Sequence, residues 1–277
     1  MDYYKQIEFF KCELELNEKS EATIKKYVRD IKEFIDYIGN SEIDKIHLIA
    51  YKNKLISEHK PATVNVKIIA INRFLSYIEK ENCKIKLLKI QEQIYANEEK
   101  ELTIDEYKRL IEVSKSERIG LIIKTISSTG IRISELKYIT VDAVIRCKAE
   151  INLKGKNRII LIPTVLRKLL LDYINDNDIQ SGSVFITKTG KPIDRSNIWK
   201  EMKRLCDKAH VDKTKVFPHN LRHLFARIFY EEEKDIVRLA DVLGHSSINT
   251  TRIYTMEAGK KHIEVLERVS GLLMITT

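Results

Sequence analysis

The chain reads as a mainly α-helical protein with one small antiparallel β-sheet, divided into an N-terminal helical module and a larger α+β region. Three observations predict this. Only 9 Gly and 4 Pro occur in 277 residues, which disfavours a turn-rich β fold. Apolar residues recur at three- and four-residue steps through most of the chain, the period of a helix with one buried face. Short Ile- and Val-rich stretches cluster between residues 143 and 163, joined by polar turns such as KGKN, the pattern of adjacent strands.

Residues 1–90 form the helical module, with four to five helices expected. In TIKKYVRDIKEFIDYI the residues Ile24, Tyr27, Val28, Ile31, Phe34, Ile35 and Ile38 make one apolar stripe, opposite Lys25, Lys26, Arg29 and Lys32. A second helix runs from Ile43 to His59, and Pro61 suits the first turn of another, which continues through VNVKIIAINRFLSYIEK. The basic faces have an ordinary reading as solvated surface. Thr23, Lys25, Lys26 and Arg29 on one helix, with Thr63, Asn65 and Lys67 on another, also suit a grip on phosphates near helix N-termini.

The periodicity lapses in QEQIYANEEK, so residues 91–100 are expected to link the module to residues 101–277. Thr103 and Glu106 have the spacing of a capping box that opens the second region. Helices are expected near 103–115, 118–128, 133–139, 164–176, 197–209, 220–231, 236–243 and 247–254. AVIRC, EINLK and RIILIP are expected as three short strands.

Lys and Arg outnumber Asp and Glu by nine, the sequence pI is about 9.1, and most of the surplus falls C-terminally. A polyanionic partner such as nucleic acid fits that balance. The four cysteines are scattered, without metal-type spacing, which points to a reducing compartment rather than a disulfide frame or zinc site. No apolar N-terminal stretch has signal-peptide length and charges interrupt every later apolar run, so a cytoplasmic protein with no membrane partner is expected.

Four strings carry chemistry: STGIRISEL (128–136), LKGKNRIILIP (153–163), FPHNLRH (217–223) and LGHSSINTTRIY (243–254). His219 and His223 stand four apart, as helical zinc ligands do. Asn220, however, holds the position of the glutamate base of a HExxH site, and Arg222 would set a cation against the metal. The other reading is that His219 and Arg222 serve an anion while His223 packs. Taken singly, Arg132 reads as a surface arginine, Lys154 as a solvated hairpin tip and Tyr254 as a core or rim tyrosine.

In order, however, Arg132, Lys154, His219-x-x-Arg222, His245 and Tyr254 resemble the catalytic set of the tyrosine recombinase (phage integrase) family, on the strings TGIRISEL, KGK, HNLRH and LGHSSINTTRIY. The likeness is strong from about 101 to 257, and the N-terminal module resembles the SAM-like core-binding domain of the Xer type. Where the family often has Ser or Thr after HNLRH, this chain has Leu224, Phe225 and Ala226, a change that bears on packing behind the site.

The resemblance implies a site-specific DNA recombinase that cuts and rejoins strands through a 3′-phosphotyrosyl intermediate, without ATP, metal or other cofactor. Tyr254 would be the nucleophile. Arg132 and Arg222 would hold the phosphate, Lys154 would protonate the leaving 5′-oxygen, His219 would act as base or shuttle, and His245 would hydrogen-bond the phosphate. Glu135 would orient its neighbours. Lys154 is preferred as the acid because it directly precedes the turn glycine; Lys156 lies two residues on and contacts DNA in this reading. Partners implied are double-stranded DNA with specific sites, a tetramer on two such sites, and accessory DNA-bending proteins. The Lys- and Ile-rich composition suggests the recombinase of a mobile element. The apolar residues Ile263, Val265, Leu266, Val269, Leu272, Leu273 and Met274 suit either exchange between protomers or packing on their own domain. Two other classes share parts of this pattern: a type IB topoisomerase, disfavoured by the N-terminal module, and a DNA-binding regulator, which has no need of Tyr254.

Overall fold

The computed structural model describes residues 2–90, 98–114, 117–153, 156–245, 247–254 and 267–270. The chain divides into two compact units, Met1–Glu92 and Gln93–Thr277.

The first unit is built from α1 (Tyr3–Leu16), α2 (Glu21–Ile38), α3 (Lys45–Glu58) and α4 (Pro61–Tyr77). Asp2, Ser20 and Asp44 cap the first three by accepting backbone N–H bonds, and Pro61 opens the fourth, where its missing N–H costs nothing. The apolar stripe of α2 turns inward as its spacing predicts, burying Ile24, Ile31, Phe34, Ile35 and Ile38. These meet Ile7, Phe10 and Leu14 of α1 and Ile68, Ile71 and Phe74 of α4 in one core, where Phe10 and Phe74 pack edge to face at 5.5 Å. Past α4 the chain is held by two asparagines seven residues apart on one helix face. Asn72 donates to the Ile85 carbonyl (2.9 Å) and accepts from its N–H (3.2 Å), and Asn65 does the same with Leu88 (2.9 and 2.7 Å).

The second unit opens on α5 (Ile104–Val113), whose capping box forms as expected: the Thr103 N–H donates to Glu106 at 2.8 Å and the Glu106 N–H to the Thr103 hydroxyl at 3.1 Å. α6 (Arg118–Thr129) is buried on nearly all sides and is the helix around which this core assembles. It ends at Gly130 in the left-handed region (φ 60°). A Cβ there would also lie 2.5 Å from the Phe225 ring, so only glycine fits.

A 3₁₀ turn (Ile133–Tyr138) and the short α7 (Val141–Ile145) lead into β1 (Lys148–Leu153) and β2 (Lys156–Leu161). The two strands form an antiparallel hairpin that pairs Ile151 with Arg158 and Ala149 with Ile160. α8 (Thr164–Asp176), α9 (Arg195–Ala209), α10 (Pro218–Glu233), α11 (Ile236–Leu243) and α12 (Ile248–Arg252) follow. α10 packs on α6 and α11, and α11 on α12.

Three expectations are corrected. AVIRC is not a strand: Thr140 caps it into α7, with Ala143 and Val144 buried, and Cys147 takes φ 58° before β1 begins. The helix expected at 133–139 is a 3₁₀ turn. The sheet therefore has two strands, not three, among the described residues. Of the apolar C-terminal residues only Val269 lies among the described ones, where it is exposed; the rest of that expectation falls outside them.

Candidate active site

The site grows from four chain segments that meet at the end of α11: the turn after α6, β2, the start of α10, and α11 itself with α12. Gly130 turns the chain out of α6 and sets Arg132 at the start of the 3₁₀ turn. There its N–H donates to Glu135 Oε2 (3.0 Å) and its Nη1 to Oε1 (2.9 Å). Pro218 starts α10 and places His219 in its first turn, Arg222 one turn later and His223 beside them. Asp235 caps α11, and Gly244 (φ 62°) ends it, putting His245 at the helix terminus.

Three consecutive carbonyls at that terminus each accept from a different guanidinium: Val242 from Arg158 (2.8 Å), Leu243 from Arg222 (2.7 Å) and Gly244 from Arg132 (3.2 Å). A helix C-terminus has unsatisfied carbonyls and the negative end of its dipole, so it suits three cations. Arg222 is only 2 % exposed and also donates to the Gly130 carbonyl. Its pKa is pushed down to about 10, by burial first and then by Arg132 and Arg158, so it remains charged at neutral pH. Arg132 keeps 39 % of its side chain open to solvent, while Glu135 beneath it keeps 4 %. One carboxylate among three guanidiniums leaves the cluster an excess of positive charge, a receptor for an anion.

His245 stands between Arg222 and α12. Arg222 Nη2 lies 2.9 Å from its Nε2, and the fully buried Thr251 hydroxyl lies 2.9 Å from its Nδ1. A guanidinium only donates, so Nε2 must accept, and the ring proton sits on Nδ1, donated to Thr251. Burial and then the neighbouring arginines hold the His245 pKa down to about 4, so this neutral tautomer is the form at pH 7.

Tyr254, 5 % exposed, lies against His245 on one side (5.9 Å between rings, 17°) and His223 on the other (4.5 Å, 68°). It packs on Ala226, Leu239 and Leu243. His223 also meets His219 edge-on at 4.7 Å, and burial followed by His219 holds its pKa at about 4. His219 itself is exposed, and its pKa is lowered by desolvation, Arg222 and Arg132.

Arg132, Glu135, His219, Arg222, His245 and Tyr254 are therefore gathered in one place. Lys154 lies outside the described residues; Lys156 begins β2, paired with Leu153, and no more is described of it. In the first unit, Lys25, Lys26 and Arg29 are exposed on α2, Lys25 pairing with Glu21 at 2.6 Å and Arg29 with Asp30 at 2.9 Å. Thr23 bonds the Ser20 cap at 2.8 Å, and Thr63 is exposed. Lys67 and Asn65 differ from expectation. Lys67 is buried against Glu33 and lies 3.7 Å from the fully buried Asp30, and Asn65 holds the segment at Leu88. Both make bonds within the domain.

Sequence reasoning missed Arg158 and Thr251. A signal for Arg158 existed: in an alternating strand it shares the inward side with Ile160 (3 % exposed), while Ile159 and Leu161 face out. Thr251 gave none, since its role depends on where the loop returns His245.

Comparison with known proteins identifies the family. Residues 100–261 match the phage integrase family model, and residues 7–82 match the phage integrase N-terminal SAM-like domain. The chain belongs to the phage integrase family. It is similar to a tyrosine recombinase from Agathobacter rectalis, 31% identical over 89% of this chain and 89% of that one. It is also similar to the tyrosine recombinase XerA of Pyrococcus furiosus, 28% identical over 96% and 94%. In fold it resembles XerH site-specific recombinase bound to difH substrate (TM-score 0.69, 23% identity, 91% of this chain and 80% of that one). A lambda integrase dimer bound to a COC′ core site is similar too (TM-score 0.72, 16% identity, 91% and 94%). As a phage integrase family member the chain is a site-specific DNA recombinase that cleaves and rejoins strands through a tyrosine.

Proposed function

We propose that Tyr254 is the nucleophile and that Arg132 and Arg222 hold the scissile phosphate. The observation that carries this is the convergence of a buried, charged Arg222, the half-open Arg132, His245 and Tyr254 at the end of α11.

In the forward step the Tyr254 oxygen attacks phosphorus, its proton passing to neutral His219, and the bond from phosphorus to the 5′-oxygen breaks. That oxygen leaves with a proton from Lys154, giving a 3′-phosphotyrosyl bond and a free 5′-hydroxyl. A 5′-hydroxyl from the second duplex reverses the sequence, so the bond is conserved and no ATP is consumed. The two guanidiniums meet the charge on the nonbridging oxygens, a contribution of about 10²–10³ in rate for each such pre-organised donor. A phosphate oxygen at Arg222 displaces His245 Nε2 as acceptor, and its negative charge raises the His245 pKa. Nε2 then takes a proton from solvent and donates it in a hydrogen bond to the same phosphate while Nδ1–H stays on Thr251.

The exposed Lys25, Lys26 and Arg29 of α2, with Thr23 and Thr63, grip the DNA backbone. The working assembly is a tetramer on two sites, aided by DNA-bending proteins, acting in the cytoplasm on a mobile element. Among the described residues no helix is long and apolar enough to cross a membrane. The test is capture of covalent protein–DNA adducts from fragmented genomic DNA of the source organism, followed by sequencing of the joined ends. One recurrent sequence, attached through its 3′-phosphate, is expected. Adducts spread without sequence preference, or relaxation of a two-site supercoiled plasmid without recombinants, would overturn the recombinase reading in favour of a topoisomerase.

A further inference from the structure

In the cluster at the end of α11, the roles given to Arg132 and Arg222 leave Arg158 without a task. Arg158 sits on β2 at an inward position opposite Ile151, its side chain 9 % exposed. One end of its guanidinium donates to Glu135 Oε2 (2.8 Å) and the other to the Val242 carbonyl (2.8 Å). Its aliphatic part lies against Gly244, where a Cβ would come within 2.4 Å of Arg158 Cδ. The residue before His245 is thus shaped to let this side chain pass.

We infer that Arg158 is a positioning residue for DNA cleavage: it divides Glu135 between two guanidiniums and so keeps Arg132 turned toward the phosphate. Glu135 Oε1 accepts from the Arg132 guanidinium, while Oε2 accepts from the Arg158 guanidinium and from the Arg132 backbone N–H. With both oxygens engaged, the carboxylate cannot close on Arg132 in the two-pronged pair that Arg and carboxylate otherwise favour. Without Arg158, Glu135 draws Arg132 down and neutralises the charge the phosphate requires. The same side chain ties β2, and with it the hairpin, to the turn that holds His245. Arg158 is too deeply set to face DNA, so its effect falls on the cleavage step rather than on binding.

The inference rests on the reading of Arg132 as a phosphate ligand. The full chain is assayed in single turnover at saturating protein, on a duplex bearing the captured site and nicked so that cleavage is irreversible. Affinity and melting temperature are measured alongside. Arg158→Met is expected to cleave about 10- to 100-fold more slowly, the scale of a misplaced catalytic group, with Kd within about twofold of wild type. Adding Glu135→Gln to Arg158→Met should leave the rate no lower, and partly restore it, because the carboxylate that captures Arg132 is then gone.

Wild-type cleavage by Arg158→Met, a loss confined to Kd, or two losses that multiply in full would overturn the inference. If Arg158→Met does not fold, Arg158→Lys carries the test. Lysine reaches Glu135 or Val242 but not both, so a rate about threefold to tenfold below wild type is expected, and a wild-type rate refutes. Arg132→Ala separates the two readings. If it cleaves normally, the proposed phosphate site fails; if it is inactive while Arg158→Met is normal, only the role of Arg158 fails.

Discussion

Replacing Thr251 with valine keeps the shape of a fully buried side chain and removes one hydroxyl. That hydroxyl accepts the Nδ1 proton of His245 at 2.9 Å, while Nε2 accepts from Arg222 at 2.9 Å. In Thr251→Val the Nδ1 proton has no partner, and once the phosphate draws a second proton to Nε2 the Nδ1–H of the doubly protonated ring is left orphaned. Orphaning such a donor costs about 1–3 kcal/mol, which, if felt wholly at the transition state, is roughly 5- to 150-fold in rate. His245 is only partly buried, so water recovers some of this and the low end applies: a cleavage rate about 5- to 20-fold below wild type. Single-turnover cleavage of a nicked duplex measures it, with nitrogen NMR of the imidazoles reporting the Nδ1–H tautomer in the wild type. Thr251→Ser, which retains the hydroxyl, should stay within about twofold. A valine variant at the wild-type rate, or a serine variant as slow as valine, refutes the reasoning.

Other outcomes follow from the same contacts. Lys67→Ala strands the buried Asp30 and should destabilise the N-terminal unit by about 3 kcal/mol, the low end for breaking a buried pair because Arg29 still reaches Asp30; denaturant melting reads this. Lys26→Ala should instead leave stability alone and reduce the log–log salt slope of DNA binding by about 0.9. Gly130→Ala, at φ 60° and against Phe225, should cost more than about 1 kcal/mol and shift the carbonyl that Arg222 donates to, so cleavage falls further than affinity. His223 and His245 titrate near 4 in the fold against a usual 6.5, so the unfolded chain binds protons first. Their contribution to stability is intact above about pH 6.5 and is lost as pH falls toward 4. The melting temperature should drop over that window, and less steeply in His223→Gln.

Much of the helical frame was legible because it depends on local spacing. The α2 stripe buried Ile24, Ile31, Phe34, Ile35 and Ile38 and half-buried Tyr27 and Val28, and Thr103 with Glu106 formed the cap their spacing promises. AVIRC misled because β-branched residues favour a strand only until a cap such as Thr140 starts a helix. The partners of Lys67 and Asn65 were illegible for a related reason: position near a helix start suggests phosphate contact and says nothing of Glu33 and Leu88, which come from distant segments. In the site, the ordered strings brought out the residues with a family pattern. The cradle beneath them, three carbonyls at 242–244 taking three arginines, is a tertiary arrangement with no local spacing to betray it.

The proposed chemistry passes through one covalent bond. Wild-type protein and Tyr254→Phe are each incubated with the nicked duplex, digested with protease, and the DNA-linked peptide is identified by mass spectrometry. An adduct is expected on the peptide containing Tyr254, carried on a 3′-phosphate, and none with phenylalanine although DNA is still bound. An adduct on a different residue, or equal trapping by both proteins, would contradict the proposed chemistry.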